Sequence, residues 1–212
     1  MNKYEGINFE KELPEGYKQA LYINAKSVKM GLLMNFIALI VLIIVMVLAC
    51  LSFKLYDQPL MKKLNNLDVE YHNTLISMFV FLFSMIAYIV LHELVHGIAY
   101  KKLTNEKLTF GLSWSCAFCG VPNIYTYRKT AIISVLAPFV FFSIVFIIIL
   151  VILYFVNPIY YLMAAFIFGL HVGGCSGDLY VYILFKTKFK NKNTLMRDTG
   201  PEQFFYIKED NN

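Results

Sequence analysis

Ile89-Val90-Leu91-His92-Glu93-Leu94-Val95-His96-Gly97-Ile98-Ala99-Tyr100 is an apolar run interrupted by three ionisable side chains. It closes a stretch from Thr74 to Tyr100 that carries no other ionisable acid, base or histidine. That stretch exceeds the ~20 residues a helix needs to cross the ~30 Å hydrocarbon core of a bilayer. On a helix His92 and His96 fall four residues apart on one face, the spacing at which two imidazoles grip one zinc ion. Glu93 sits beside them as a general base. Ionisable groups are costly in lipid, so three together call for a functional reason.

Working outward, three further apolar stretches are long enough to span. They run from Gly31 to Phe53, Thr130 to Val156 and Ile159 to Phe185. Of the 212 residues 58% are hydrophobic and 16% charged, too apolar for a soluble domain of this size. The expected class is an all-α polytopic membrane protein with four transmembrane helices and a small hairpin-like cytoplasmic loop. The expected organisation is an N-terminal segment 1–30, a four-helix membrane domain 31–185 and a tail 186–212. The first stretch follows 30 polar residues without a small-residue cleavage site, so it reads as a retained span. The net charge of +5 is no nucleic-acid footprint, because the basic residues flank the spans.

Those basic residues give an orientation. The N-terminal segment (Lys3 to Lys29), the loop between spans two and three (Lys101 to Lys129) and the tail (Lys186 to Lys208) hold sixteen Lys and Arg. Lys54, Lys62 and Lys63, between spans one and two, are the three on the other side. The positive-inside rule places both termini in the cytoplasm of a cell-membrane protein.

Inside the spans, the first and third carry no ionisable acid, base or histidine. The second has His92, Glu93 and His96, and the fourth has His171 and Asp178. Such residues face one another or a water-filled cavity, so spans two and four should face each other. Measured back from Lys101, His92 lies about 13 Å and His96 about 7 Å inside the boundary. Measured back from Lys186, Asp178 lies about 12 Å inside. The matching depth makes Asp178 the expected third ligand. Glu106 lies past Lys101-Lys102 and is a poor alternative, and a metzincin histidine at position 102 is replaced by lysine. His171 reads as a cavity-lining histidine bonded to a neighbouring helix. Gly169, Gly173, Gly174, Ser176 and Gly177 permit close helix approach and loosen the helix near Asp178.

Outside the spans, Thr109-Phe110-Gly111-Leu112-Ser113-Trp114 and Ile124-Tyr125-Thr126-Tyr127 favour strands, with Gly120 and Pro122 between them. The hairpin they suggest has two readings: an edge that pairs with an extended substrate, or a connector on the membrane surface. Cys116-x-x-Cys119 is a lone pair without a second pair or thioredoxin-like context, so it carries no zinc or redox assignment. Asp198-Thr199-Gly200 matches the aspartic-protease triplet, but that chemistry needs two such aspartates.

His92-Glu93-Leu94-Val95-His96-Gly97, Leu136-Ala137-Pro138-Phe139, Gly173-Gly174-Cys175-Ser176-Gly177-Asp178-Leu179 and Asp198-Thr199-Gly200 together resemble the DUF3267 family of zincin-type peptidases. Leu13-Pro14-Glu15-Gly16-Tyr17 resembles that family's entry to span one. The layout is similar to site-2 proteases, although Asp178 lacks the neighbouring proline of their aspartate stretch. The resemblance implies a zinc enzyme with His92, His96 and Asp178 as ligands and catalytic Glu93. The expected activity is hydrolysis of a membrane-protein or peptide substrate near the cytoplasmic face of the lipid bilayer. The alternative is a non-proteolytic membrane protein whose structural metal serves envelope assembly or protection. A metal transporter would want ligands spread along a pathway, and only His171 hints at one.

Overall fold

The computed structural model describes residues 8–55, 71–113, 117–190 and 193–209. Cys116, Trp114, Lys62 and Lys63, and the side chains of Lys54 and His72, lie outside the described residues.

The apolar stretches form helices α1 (Val28–Leu55), α2 (Tyr71–Thr104) and α3 (Arg128–Val156), with the fourth divided into α4 (Pro158–Gly174) and α5 (Ser176–Lys186). All four stretches are long and apolar enough to cross a membrane, so the chain reads as a membrane protein. Their outward side chains agree: Phe36, Phe79, Phe83 and Phe155 are all more than half exposed, as lipid-facing residues are. The reversal between α3 and α4 is one residue long. Asn157 caps α4 by accepting from the Ile159 and Tyr160 amides at 2.8 and 3.3 Å, and Pro158 starts the helix with φ already fixed.

The expected all-α class is incorrect. Among the described residues seven strands accompany the helices: β1 (Phe9–Glu10), β2 (Tyr17–Asn24), β3 (Thr109–Leu112), β4 (Ala117–Gly120), β5 (Tyr125–Tyr127), β6 (Thr194–Asp198) and β7 (Glu202–Lys208). Five of them form an antiparallel sheet in the order β1-β5-β6-β7-β2. The segments before α1 and after α5 thus pair with each other, Tyr17 opposite Lys208 and Asn24 opposite Glu202. Hydropathy does not register such pairing, because the strands are far apart in sequence and only half of each is apolar. The hairpin in the loop after α2 is present, but Thr109–Leu112 pairs with Ala117–Gly120. Tyr125–Tyr127 joins the larger sheet instead.

The chain folds as two compact units. The first combines the sheet, the β3–β4 hairpin, residues 91–104 of α2, the first eleven residues of α3 and most of α5. Its core joins Ala131, Val135, Val181, Leu184 and Phe185 of the helical segments, and Phe189 of the turn after α5, to Ile23, Met196 and Phe205 of the sheet. The Phe189 and Phe205 rings stack with centroids 5.1 Å apart. Strand β6 is buried almost throughout, so this sheet is packed rather than lying open on a surface.

The second unit is helical, built from residues 34–90 and 139–176. Here the small residues of α4 have distinct uses. A Cβ on Gly173 would stand 2.7 Å from the Ala38 Cα, and one on Gly169 would stand 2.7 Å from Leu42 Cδ1, so α1 and α4 approach through glycine. A Cβ on Gly174 would meet nothing within 4 Å. Gly173→Ala should therefore destabilise the fold by about 1–3 kcal/mol, since backbone must move. Gly174→Ala should be neutral or gain up to about 1 kcal/mol. Unfolding in detergent micelles checks this contrast, and equal effects at the two sites would contradict the packing.

Candidate functional site

α2 presents His92, His96 and Tyr100 on one stripe, because the residues are spaced four apart. The break at Cys175 ends α4, and Asp178 then lies in the first turn of α5. The three expected ligand residues come together. Asp178 Oδ2 is 3.5 Å from His92 Nε2 and 3.4 Å from His96 Nε2. His92 and His96 are buried, and Asp178 is partly so.

These atoms fit a zinc ion. Ligand atoms about 2.0–2.2 Å from zinc at tetrahedral angles stand roughly 3.3–3.6 Å apart, which is the separation found between the carboxylate oxygen and each imidazole. The donor atoms of His92, His96 and Asp178 all lie within 4.8 Å of one another. The outer hydrogen bond also fits. His96 Nδ1 is 2.8 Å from the Ser134 carbonyl, so Nδ1 carries the proton and Nε2 is left with its lone pair. Ser134 acts there through its backbone, for its own hydroxyl is buried without a hydrogen-bond partner.

Glu93 is partly buried, and the Cys119 backbone amide of β4 donates to its carboxylate. Strand β4 therefore runs past the proposed base. The hairpin rests directly on α2: a Cβ at Gly97 would lie 2.7 Å from the Phe110 ring. The glycine after the second histidine is needed for that approach.

The other ionisable candidates are Glu106, His171 and Cys119. Glu106 is 3.7 Å from Lys11 Nζ, outside the histidine cluster. In the helical unit His171 is fully buried, with Nδ1 2.9 Å from the Tyr88 hydroxyl and Nε2 3.1 Å from Ser143 Oγ. Both ring nitrogens are thus engaged with hydroxyls of α2 and α3. Cys119 is buried, and burial together with Asp198 and Glu93 pushes its thiol up to about 12, so it is not a reactive cysteine.

One residue carries more than its sequence reading gave it. Asp198 is buried, and its Oδ2 accepts a 2.6 Å hydrogen bond from the Tyr100 hydroxyl. Its Oδ1 accepts from the Gly200 amide at 2.9 Å. Burial raises its carboxyl to about 6, against the pull of these two hydrogen bonds. The sequence did contain a signal. Asp198-Thr199-Gly200-Pro201 has the composition of a turn, and β-favouring Phe204-Phe205-Tyr206-Ile207 follows it.

Residues 85–192 match the DUF3267 family, which is described as "Putative zincin peptidase". The chain belongs to that family. The match covers half the chain and includes all the residues of the histidine cluster. Membership in DUF3267 supports a general metallopeptidase role and implies zinc as cofactor. No curated protein and no solved structure matches the chain.

Two outcomes follow from the site's surroundings. Ser134→Ala removes only the unpaired hydroxyl, so zinc content should be unchanged and stability equal or higher by about 1–2 kcal/mol. A loss of zinc on equilibrium dialysis would contradict the carbonyl's role. The second outcome concerns Asp198, whose folded carboxyl binds its proton more tightly than the unfolded one near 3.8. Its contribution favours the fold below that value and is lost as pH rises through about 6. Between pH about 4 and 7 the protein should lose on the order of 2 kcal/mol relative to Asp198→Asn. Parallel stability curves for the two proteins would contradict this.

Proposed function

We propose that this protein is an intramembrane zinc metallopeptidase that hydrolyses a peptide bond of a membrane-associated substrate near the cytoplasmic face. The observation that carries the reading is the pair of 3.4 and 3.5 Å separations from one Asp178 oxygen to two imidazole nitrogens, with Glu93 next in the chain to His92. His92 and His96 would hold the metal through Nε2, and Asp178 through its carboxylate. When bound, zinc supplies a Lewis acid that acidifies water and polarises the scissile carbonyl.

The protein's own groups do the rest. Glu93 takes the proton of the attacking water on its carboxylate and delivers it to the leaving amine. The Cys119 amide holds that carboxylate to one side of α2. The Ser134 carbonyl keeps His96 in the tautomer whose Nε2 points to the cluster. A substrate helix must unwind before attack, because its carbonyls are otherwise hydrogen-bonded within the helix. An extended segment then needs backbone partners, and the β3–β4 hairpin passing Glu93 offers strand edges for them.

Topology supports the same reading. The sheet draws β1 and β2 from before α1, β5 from between α2 and α3, and β6 and β7 from after α5. Such a sheet requires all three segments on one side of the membrane. These are the segments with sixteen of the nineteen Lys and Arg residues, which favours the cytoplasmic side.

Glu93→Gln separates this function from a structural metal site. The variant should keep stoichiometric zinc and lose cleavage by at least ~10³-fold, as expected for loss of both proton-transfer steps. His92→Ala and Asp178→Ala should lose zinc as well. Metal analysis of the purified proteins, with cleavage measured alongside, checks both. A Glu93→Gln protein as active in cells as wild type, where His92→Ala is not, would favour the structural metal in envelope assembly or protection.

A further inference from the structure

The helical stripe that carries the two histidines has a third member with a carboxylate of its own. Tyr100 stands one turn beyond His96, is 1% exposed, and gives its hydroxyl hydrogen to Asp198. The Tyr100 ring packs with Val121 and Ile124, so its hydroxyl is the only part needed for the hydrogen bond. Asp198 also reaches the residue that follows β4 through its backbone. Its carbonyl accepts from the Val121 amide at 2.8 Å. A Cβ on Gly120 would stand 2.6 Å from the Thr199 carbonyl carbon and would also meet Gly200 N, so the two backbones touch where neither has a side chain. Gly200 has φ +99°, which glycine adopts without strain, and the Phe118 ring covers it.

We propose that Asp198 is a positioning residue for the peptidase centre, the joint that fixes strand β4 against the histidine-bearing face of α2. This rests on the metallopeptidase reading for its catalytic consequence, but the joint itself is a property of the fold. Two residues before Val121, the Cys119 amide engages Glu93. The strand that steadies the base is therefore held in register by Asp198, two hydrogen bonds away. A buried carboxylate held by two neutral donors is expensive for a mere turn, which asparagine or serine would cap without charge. The ionised carboxylate, its charge shared by both oxygens, gives a short bond to Tyr100 that ties α2 to the Asp198 turn against which β4 packs.

The joint separates from folding in Tyr100→Phe, which keeps the ring and removes one hydroxyl. Asp198→Asn is the conservative partner, retaining one acceptor where the wild type has two. Full-length proteins in detergent would be compared by hydrogen exchange of the peptide covering residues 117–121, by zinc affinity against a chromophoric chelator, and by cleavage of labelled casein. In Tyr100→Phe the hairpin amides should exchange about tenfold faster, since a local opening loses its restraint. Zinc affinity should stay within about threefold, because no ligand or ligand partner has changed. The kcat on casein should fall about tenfold with KM nearly constant, as for misplacement of a base rather than loss of substrate contacts. Asp198→Asn should fall between Tyr100→Phe and wild type. Unchanged hairpin exchange in Tyr100→Phe would overturn the joint, as would a loss of zinc that precedes any change at the hairpin. A wild-type protein that cuts no casein and behaves like Glu93→Gln counts against the peptidase reading alone, and the exchange measurement still decides the joint.

Discussion

One carboxylate oxygen held between two imidazoles is the constraint on which this molecule depends. In a hydrocarbon surround, an acid and two histidines are tolerable only when each answers the others. That requirement dictates the local structure around it. His92 and His96 need a continuous helix to share a face, and α2 is one from Tyr71 to Thr104. Asp178 needs the opposite: a start of helix, where the chain has just been released from the preceding segment. The glycine-rich break at Cys175 supplies it. The histidines' outer nitrogens must be satisfied too, and the carbonyl of Ser134 does this for His96.

A second layer of order surrounds that cluster. Strand β4, the Asp198 turn and the last turn of α2 meet through contacts that exclude side chains at Gly97, Gly120 and Gly200. Asp198 and Asp178 both address α2, the one through the Tyr100 hydroxyl and the other through His92 and His96. Under the metallopeptidase reading, Glu93 as general base would need such packing to be held in place. The sheet is what lets a small membrane protein have an interior of its own.

How far the sequence told this in advance divides along a physical line. The long apolar helices, the shared face of the histidine pair and the nearness of Asp178 to it were legible because hydropathy and helical spacing are local quantities. The sheet was not. Tyr17-Lys18-Gln19-Ala20-Leu21-Tyr22-Ile23-Asn24 reads as a polar approach to the membrane until Glu202–Lys208 is placed beside it. The loop after α2 was half legible: the strand beginning at Thr109 was visible, but its partner was Ala117–Gly120 rather than the stretch ending at Tyr127. The place of Asp198 in the fold was hidden for a sharper reason. As a protease triplet it had no twin, and a solitary match was set aside; its actual partner is a tyrosine hydroxyl 98 positions earlier. Nothing in periodicity announces such a pairing.

The five-stranded sheet has a consequence for the life history of the chain. Strand β7 is synthesised only after helices α1 to α5, yet it lies between β6 and β2 and must be inserted before β2 has any partner in the sheet. Strand β2 therefore waits, unpaired, through the whole of membrane insertion. Strand β6 and the Asp198 turn arrive at the same late moment, so Tyr100 finds its acceptor when the spans are already in place.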